Sequence, residues 1–148
     1  MIGAAHKHAI VTVVERKSGF AVLSKVKNKT SEAVSQAIIN RLKPYAARVI
    51  TLTYDNGKEF ADHERIDAEL GSTGYFADPF ASWQRGSNEN FNGLLRQYIP
   101  KKRPLSTVTD EELKMIEDKL NFRPRKRLGF KTPHQVFHES LNRVALRD

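Results

Sequence analysis

The first apolar stretch of the chain has the composition expected of a β-hairpin. Residues 8–16 are rich in β-branched side chains, and residues 20–26 form a second such run. Between them, Lys17, Ser18 and Gly19 have the composition of a tight turn. The pattern therefore predicts two strands joined as a hairpin near the start of the chain.

Past residue 30, the apolar spacing changes to that of an amphipathic helix. Thr30 or Ser31 can cap this helix, and Pro44 marks its last turn. Its apolar face consists of Val34, Ile38, Leu42 and Tyr45. Residues 49–54 then form a nearly unbroken run of high β propensity, which predicts a central strand buried on both faces.

The remaining pattern predicts one short strand and four helices. A helix spans about residues 58–70, and a brief strand follows at 75–77. The later helices begin at Ser87, at Thr109 and at Thr132-Pro133. Apolar stripes indicate the inward faces of two of these helices. The stripe of the helix that begins at Ser87 consists of Phe91, Leu94, Leu95 and Tyr98, and that of the helix that begins at Thr109 consists of Leu113, Ile116 and Leu120. Strands and helices in this order predict a mixed α/β fold.

The composition narrows the class of protein. The 148 residues suffice for one domain, and they include no cysteine, which excludes disulfides and thiolate metal sites. No apolar run is long enough to cross a membrane, and the first residues lack the apolar core of a secretory signal. We therefore expect a cytoplasmic protein.

The charge is unevenly distributed along the chain, and the formal net charge is +8. Residues 1–48 carry 9 basic and 2 acidic side chains, residues 49–95 carry 3 and 8, and residues 96–148 carry 13 and 7. An acidic centre between basic ends suits an enzyme that holds cations with carboxylates and phosphates with its flanks. Five of the central acids fall in one helical stretch and are interpreted as a solvated helix face: Glu59, Asp62, Glu64, Asp67 and Glu69.

Two acids outside that stretch are candidates for catalysis. Asp55 stands where a predicted strand ends, a place where side chains of α/β proteins enter a crevice. Asp-Asn-Gly is also good turn chemistry, and on this motif alone the turn is favoured. Glu89 lies in the first turn of a predicted helix, where the helix dipole by itself favours an acid. Asn92 and Arg96 share its side of the helix, away from the apolar stripe.

Together these motifs resemble a known family. Thr53–Phe60 is similar to the second-aspartate motif of DDE transposases and retroviral-type integrases, and Trp83–Asn90 is similar to the motif that carries their glutamate. The 33 residues between Asp55 and Glu89 are typical of one bacterial insertion-sequence subgroup. Asn121–Pro133 resembles the C-terminal signature of the same subgroup, so the resemblance covers almost the whole chain.

The resemblance implies a ribonuclease H-like mixed sheet flanked by helices. It also implies that DNA strands are cleaved and transferred with two Mg²⁺ or Mn²⁺ ions. Asp55 would bind both ions and Glu89 one of them, since hard cations prefer oxygen ligands. The implied partners are DNA, as transposon ends and target, and further copies of the chain in a homo-oligomer. The implied location is the bacterial cytoplasm, at the nucleoid, with no membrane and no small-molecule substrate.

The chain departs from the family pattern at its start. Members carry the first catalytic aspartate on the first, central strand, which here would fall just before Met1. Residues 1–148 are therefore expected to be the C-terminal part of a transposase core, an integrase-type catalytic core. We expect its first central strand to be largely missing, its N-terminal DNA-binding region to be absent and its metal site to be incomplete. Glu15 and Glu32 stand in the wrong places to replace the aspartate.

Further polar and basic residues are candidates for DNA contact. Two short basic loops, at 100–104 and 123–131, suit phosphate contact rather than base reading. Solvated surface loops would have the same composition. The DNA-binding candidates are Asn56, Lys58, Arg85, Asn88, Asn92, Arg96, Lys101, Lys102, Arg103, Arg125 and Lys126.

Three functions fit these residues. The first is an active DDE strand transferase, and the second is a catalytically silent transposase fragment that binds DNA or oligomerises. The third is a different ribonuclease H-like nuclease, such as a junction resolvase, against which the C-terminal signature argues. Since the first aspartate is lacking, we expect the chain by itself to be inactive or impaired. Metal-dependent DNA cleavage separates the first function from the second.

Overall fold

The computed structural model describes residues 7–54, 57–77 and 86–139, and within the last range the side chains of 86–90 are outside the description. Its strands form two pairs. Strand β1 (Ala9–Val14) is antiparallel to β2 (Ala21–Val26), with Ala9 opposite Val26. Strand β3 (Thr51–Tyr54) is parallel to β4 (Thr73–Phe76). Within the described residues, no strand joins one pair to the other.

The predicted hairpin is confirmed, and its turn is held by a short network. The backbone N–H of Glu15 donates to the carbonyl of Phe20 over 2.8 Å. The carboxylate of Glu15 accepts from the backbone N–H of Ser18 at 2.6 Å and from its hydroxyl at 2.5 Å. Gly19 adopts φ 74°, a left-handed conformation that costs a glycine little. The strands end earlier than predicted because this turn begins at residue 15.

Five helices lie within the described residues. They are α1 (Ser31–Leu42), α2 (His63–Leu70), α3 (Gly86–Leu95), α4 (Asp110–Asn121) and α5 (residues 133–139). Short 3₁₀ turns occupy Lys43–Arg48, Lys58–Phe60, Leu105–Thr107 and Lys126–Leu128. None of the helices in the described ranges is long and apolar enough to cross a membrane.

The predicted helix starts are confirmed at three places. The hydroxyl of Thr30 accepts from the N–H of Ala33 at 3.2 Å, and Thr109 caps α4 in the same way. At the start of α5, Thr132 and Gln135 exchange side-chain and backbone hydrogen bonds of 2.9 and 3.1 Å, which is a capping box. Each cap satisfies N–H groups that the first turn leaves free.

Two predicted elements were wrong in part. The helix predicted over 58–70 is a 3₁₀ turn followed by the shorter α2. The strand predicted as buried on both faces is exposed at Thr51 and Thr53, and Ile50 beside it is 75% exposed. β-Branching suits a residue to a strand whether or not the strand is buried, so the β propensity of this segment did not indicate its burial.

The hairpin lies between two apolar layers because its side chains alternate between its faces. Ala9 and Val11 point into one cluster with α1, α2 and β3. Ile10 points into the other cluster, with α3 and α4, and Leu23 of β2 joins it there. The molecule is therefore a three-layer α/β arrangement with the hairpin in the middle layer.

Helix α4 also closes the outer edge of β2. The side-chain amide of Asn121 accepts from the N–H of Ala21 at 2.9 Å and donates to its carbonyl at 2.8 Å. One turn earlier, the carboxylate of Glu117 accepts from the N–H of Leu23 at 3.4 Å and pairs with Arg41 of α1 at 2.5 Å. Burial raises the pKa of Glu117, and the Arg41 guanidinium only partly offsets this. Buried backbone groups that β1 does not reach thus obtain partners from α4.

We predict that Asn121→Ala destabilises the fold by roughly 2–4 kcal/mol, because it leaves a buried donor and a buried acceptor of Ala21 unpaired. Urea unfolding measures the change. Asn40→Ala on the exposed side of α1 is the matched control and should stay within about 0.5 kcal/mol of the parent. We call the two hydrogen bonds between Asn121 and the backbone of Ala21 the Asn121 clamp. Equal effects of the two substitutions would show that this clamp contributes no stability.

Candidate active site

The end of β3, from which Asp55 follows, is fixed from several sides. Tyr54 is 4% exposed, and its hydroxyl donates to the Oδ1 atom of Asp67 at 3.0 Å. Its carbonyl accepts from the N–H of Ala77 at 2.8 Å. The ring centroids of Phe60 and Phe76 each lie 5.6 Å from that of Tyr54. The residue before Asp55 is therefore held by contacts on several sides, while Asp55 and Asn56 lie outside the described residues.

The contact between Tyr54 and Asp67 has its own supports. Asp67 also accepts from the hydroxyl of Ser72 at 2.8 Å. A Cβ atom at Gly74 would lie 2.8 Å from the Tyr54 ring and would also meet the Asp67 carboxylate, so only glycine fits there. Burial, followed by the hydrogen bond to Asp67, raises the pKa of Tyr54 well above its ordinary value.

Glu59 is a second acid of this region, besides Asp67, whose surroundings the sequence did not indicate. Its carboxylate lies back against Gly57, in the space that a Cβ atom there would occupy. It is 14% exposed and pairs with the Nζ atom of Lys29 at 3.7 Å. The interpretation of Glu59 and Asp67 as parts of a solvated helix face was wrong. Glu59 precedes the helix, and Asp67 is turned toward Tyr54.

Helix α3 carries the second candidate carboxylate. The helix starts at Gly86, so Ser87 lies inside its first turn rather than before it, and Glu89 is one turn from its start. Phe91 and Leu95 are buried in the cluster that packs on β1, which confirms the inward stripe at these positions. The structure does not describe the side chains of Asn88 and Glu89.

Two polar residues follow Glu89 along α3. Asn92 is half-buried, and no described group donates a hydrogen bond to its shielded Oδ1 atom. Arg96 is also half-buried, and its backbone N–H donates to the carbonyl of Asn92 at 3.0 Å. A shielded amide oxygen without a donor is costly, so Asn92 has unused capacity for a hydrogen bond.

The loop after α3 is anchored by one of its arginines. Arg103 forms two hydrogen bonds to the carboxylate of Glu112, of 2.5 and 2.6 Å, and a third to the hydroxyl of Thr107 at 3.2 Å. The bond to Glu112 raises the pKa of Arg103, and the same bond lowers the pKa of Glu112. Lys101 and Lys102 remain exposed. The guanidinium of Arg103 is thus already paired with Glu112. The prediction that Arg103 contacts DNA stays a prediction.

The other basic candidates lie apart from this loop. Lys58 and Lys126 are exposed, whereas Arg125 is half-buried and donates to the carbonyl of Leu120 at 3.3 Å. Arg85 and Asn56 lie outside the described residues.

The structure describes only some of the side chains that could bind a metal ion. Among the side chains that the structure describes, no three His, Asp or Glu residues are grouped so that they could hold a metal ion. Asp55 and Glu89, the two predicted ligands, are not among those side chains. Their distance from each other therefore remains a prediction from the sequence motif.

Comparison with known proteins agrees with the resemblance. The chain is 45% identical over 142 residues to the transposase for insertion sequence element IS4351 of Bacteroides fragilis, covering 96% of the chain and 44% of the relative. It is 41% identical over 147 residues to the transposase InsI for insertion sequence element IS30A of Escherichia coli (strain K12), covering 99% of the chain and 37% of the relative. The chain thus spans less than half the length of these curated relatives. No family model matches it.

The fold of the chain is similar to that of a solved structure. The catalytic core domain of BIV integrase superposes with a TM-score of 0.69 at 24% sequence identity, covering 95% of this chain and 93% of that one. At this identity the likeness concerns the fold alone. It confirms the predicted ribonuclease H-like architecture of an integrase catalytic core.

We predict that Tyr54→Phe costs roughly 1–2 kcal/mol, because a carboxylate loses one of its two hydrogen-bond donors. Since the pKa of Tyr54 is raised on folding, its contribution to stability is fully present below the ordinary tyrosine pKa of about 10 and is lost as the pH rises through the folded value. Absorbance at alkaline pH should therefore show one of the four tyrosines ionising only as the protein unfolds.

The exposed Tyr75 of β4 provides the control for this prediction. Tyr75→Phe should leave stability unchanged within about 0.5 kcal/mol and should leave the late-ionising group in place. If Tyr54→Phe also leaves that group in place, the late ionisation belongs to another tyrosine.

Proposed function

The chain is a relative of insertion-sequence transposases with the fold of an integrase catalytic core, and on this premise we propose that it is the catalytic-core part of a transposase. It would act in DNA transposition by metal-dependent cleavage and transfer of DNA strands. The observation that carries the proposal is the 45% identity over 142 of the 148 residues, a length that must include both Asp55 and Glu89.

The two carboxylates would form the reactive centre. Asp55 directly follows Tyr54 in the chain, and the Tyr54 side chain is hydrogen-bonded to Asp67 at the end of β3. Glu89 is carried by a helix that Phe91 and Leu95 fix against β1. Carboxylate oxygens fit Mg²⁺ or Mn²⁺, and these ions, when bound, would supply Lewis-acid stabilisation to the phosphate oxygens that react. Positioning by rigid elements is what such chemistry needs from the protein.

The basic side chains around this centre would bind DNA. Lys58 follows the turn after Asp55, and Lys101 and Lys102 lie beyond the end of α3; all three are exposed. Exposed lysines contact phosphates without reading sequence, which suits a core that must hold both its own ends and varied targets. Asn56, Arg85, Asn88, Asn92 and Arg96 are the further candidates near the two carboxylates. Joining two DNA ends would require more than one copy of the chain, and a DNA substrate would place it at the nucleoid.

The Glu59 carboxylate beside Gly57 has a separate part in this proposal. Its pairing with Lys29 partly neutralises a second negative group that lies against Gly57, two residues after Asp55 in the chain. Glu59 would support the backbone at Gly57, whereas Asp55 would contact the ions.

In a version of the chain extended upstream to restore the first aspartate, we predict that Asp55→Asn and Glu89→Gln each lower Mn²⁺-dependent nicking of labelled duplex DNA by two or more orders of magnitude, because each removes a charged oxygen ligand. Duplex binding in the absence of metal should change by less than about threefold, because neither acid contacts phosphate directly. Glu69→Gln on the exposed side of α2 is the matched control and should retain full nicking.

The outcomes of this experiment separate the candidate functions. If the extended version binds DNA but shows no metal-dependent nicking, the catalytic proposal is contradicted, and the chain is a transposase fragment that binds DNA without cleaving it. Nicking that survives both substitutions would place the active centre elsewhere in the chain.

A further inference from the structure

The turn between β1 and β2 and the loop before α5 form one surface. The Nη1 atom of Arg127 donates to the carbonyl of Lys17 at 2.9 Å, joining residues 110 positions apart. Close by, the ring of Phe20 stacks on that of Phe137 in α5, with centroids 4.4 Å apart and planes at 7°. We call Arg16, Lys17 and residues 123–131 the distal basic surface. These contacts hold its two segments together.

The distal basic surface concentrates positive charge. Its two segments and the residues flanking them, 14–19 and 122–131, contain seven basic side chains and one acidic one, Glu15. Glu15 is occupied by its two hydrogen bonds from Ser18. The pKa of Arg125 is lowered first by burial and then by Arg123 and Arg127, which agrees with cations crowded together. The exposed cations of the surface are Arg16, Lys17, Arg123, Lys126, Arg127 and Lys131, of which Lys131 pairs with Glu139.

An aromatic ring is displayed among these charges. Phe130 is 69% exposed and has φ 66°, directly after Gly129 at φ 63°. It is the one non-glycine residue of the described chain in the left-handed region. The loop is closed by hydrogen bonds from Phe130 N–H to the Arg125 carbonyl, 2.9 Å, and from Arg125 N–H to the Lys131 carbonyl, 3.0 Å. A strained backbone that presents an apolar ring to solvent is typical of a binding loop.

The β1–β2 turn lies near the start of β3, whereas Asp55 follows the end of that strand in the chain. Val14 and Glu15, which lead into the β1–β2 turn, line one cavity together with Thr51 and Leu52 at the start of β3. Asp55 follows the other end of β3, and four residues of strand span about 13 Å. The DNA contacts proposed around Asp55 and those available on the distal basic surface are therefore separate.

We infer that the distal basic surface is a second DNA-binding surface, on which Arg16, Lys17 and Lys126 hold backbone phosphates while Phe130 stacks on an unpaired base. The inference rests on the proposed function, because a second DNA surface has a use only in a chain that binds DNA. Many cations with two exposed rings among them, Phe130 and Phe122, suit a nucleic acid, whereas a protein partner would need a larger apolar centre. Such a surface would let one copy hold two DNA segments.

The first test is the salt dependence of duplex binding, measured by fluorescence anisotropy with a chelator in place of metal. Arg16→Gln combined with Lys17→Gln should reduce the slope of log affinity against log salt by about two, because two phosphate contacts are lost. The matched control is Lys114→Gln combined with Lys119→Gln, which removes the same charge from exposed positions of α4 and should leave the slope unchanged. Equal effects of both pairs would overturn the inference, since only net charge would then matter.

The second test uses the strained ring. Phe130→Gly removes the ring and relieves the left-handed backbone, so thermal stability should hold or rise. The parent should bind a duplex with a two-nucleotide bulge about tenfold more tightly than a paired duplex, and Phe130→Gly should abolish this preference. Met115→Ala, at an exposed apolar position of α4, is the control. A preference that survives Phe130→Gly overturns the stacking role.

The two proposals fail in different ways. If the parent chain binds no duplex at any salt concentration, the proposed function itself fails. If it binds, and the Arg16 and Lys17 substitutions leave the slope as in the parent, only the distal basic surface is excluded. If an acidic peptide bound to the distal basic surface and DNA did not, the inference of a second DNA-binding surface would likewise be overturned.

Discussion

The fold depends on how the outer edge of β2 is satisfied. A two-stranded hairpin leaves half of its backbone groups without strand partners, and here they are buried beneath helices. Asn121 replaces a neighbouring strand at Ala21, and Glu117 does the same at Leu23. Since Glu117 also pairs with Arg41, this edge joins α4 on one face of the hairpin to α1 on the other. Removing one partner of such a pair would leave an uncompensated charge, so the arrangement favours one packing of the layers.

The elements that the sequence predicts well are those whose determinants are local. The hairpin follows from its β-branched side chains and from the Ser18-Gly19 turn, and the starts of α1, α4 and α5 follow from capping residues within three positions of one another. The burial of β3 was not predictable in this way, because threonine suits a strand in either environment. The Asn121 clamp joins positions 100 residues apart, and no local pattern indicates such a contact.

The candidate active site shows the same division. The motifs around Asp55 and Glu89 were recognisable in the sequence, because each surrounds its acid with a fixed order of small and polar residues. The surroundings of these motifs were not. Asp67 appeared to belong to a solvated helix face, yet it fixes Tyr54 and with it the end of β3. Its role depends on the angle at which α2 packs on β3, which is a tertiary property. Glu59 was misinterpreted for a similar reason, since the helix assigned to it begins only at His63.

The clamp on β2 also has a consequence for assembly. A free strand edge is a template on which another chain can add a strand, and proteins that keep such an edge open are prone to join edge to edge. With side chains of α4 on this edge, a second molecule finds no backbone donors at Ala21 or Leu23 to pair with. If copies of the chain associate as proposed, strand addition at Ala21 and Leu23 is closed to them, whereas the margin of β4, where Tyr75 and Phe76 are exposed, is open. The edge that stabilises the monomer thus restricts the geometries in which several monomers can associate.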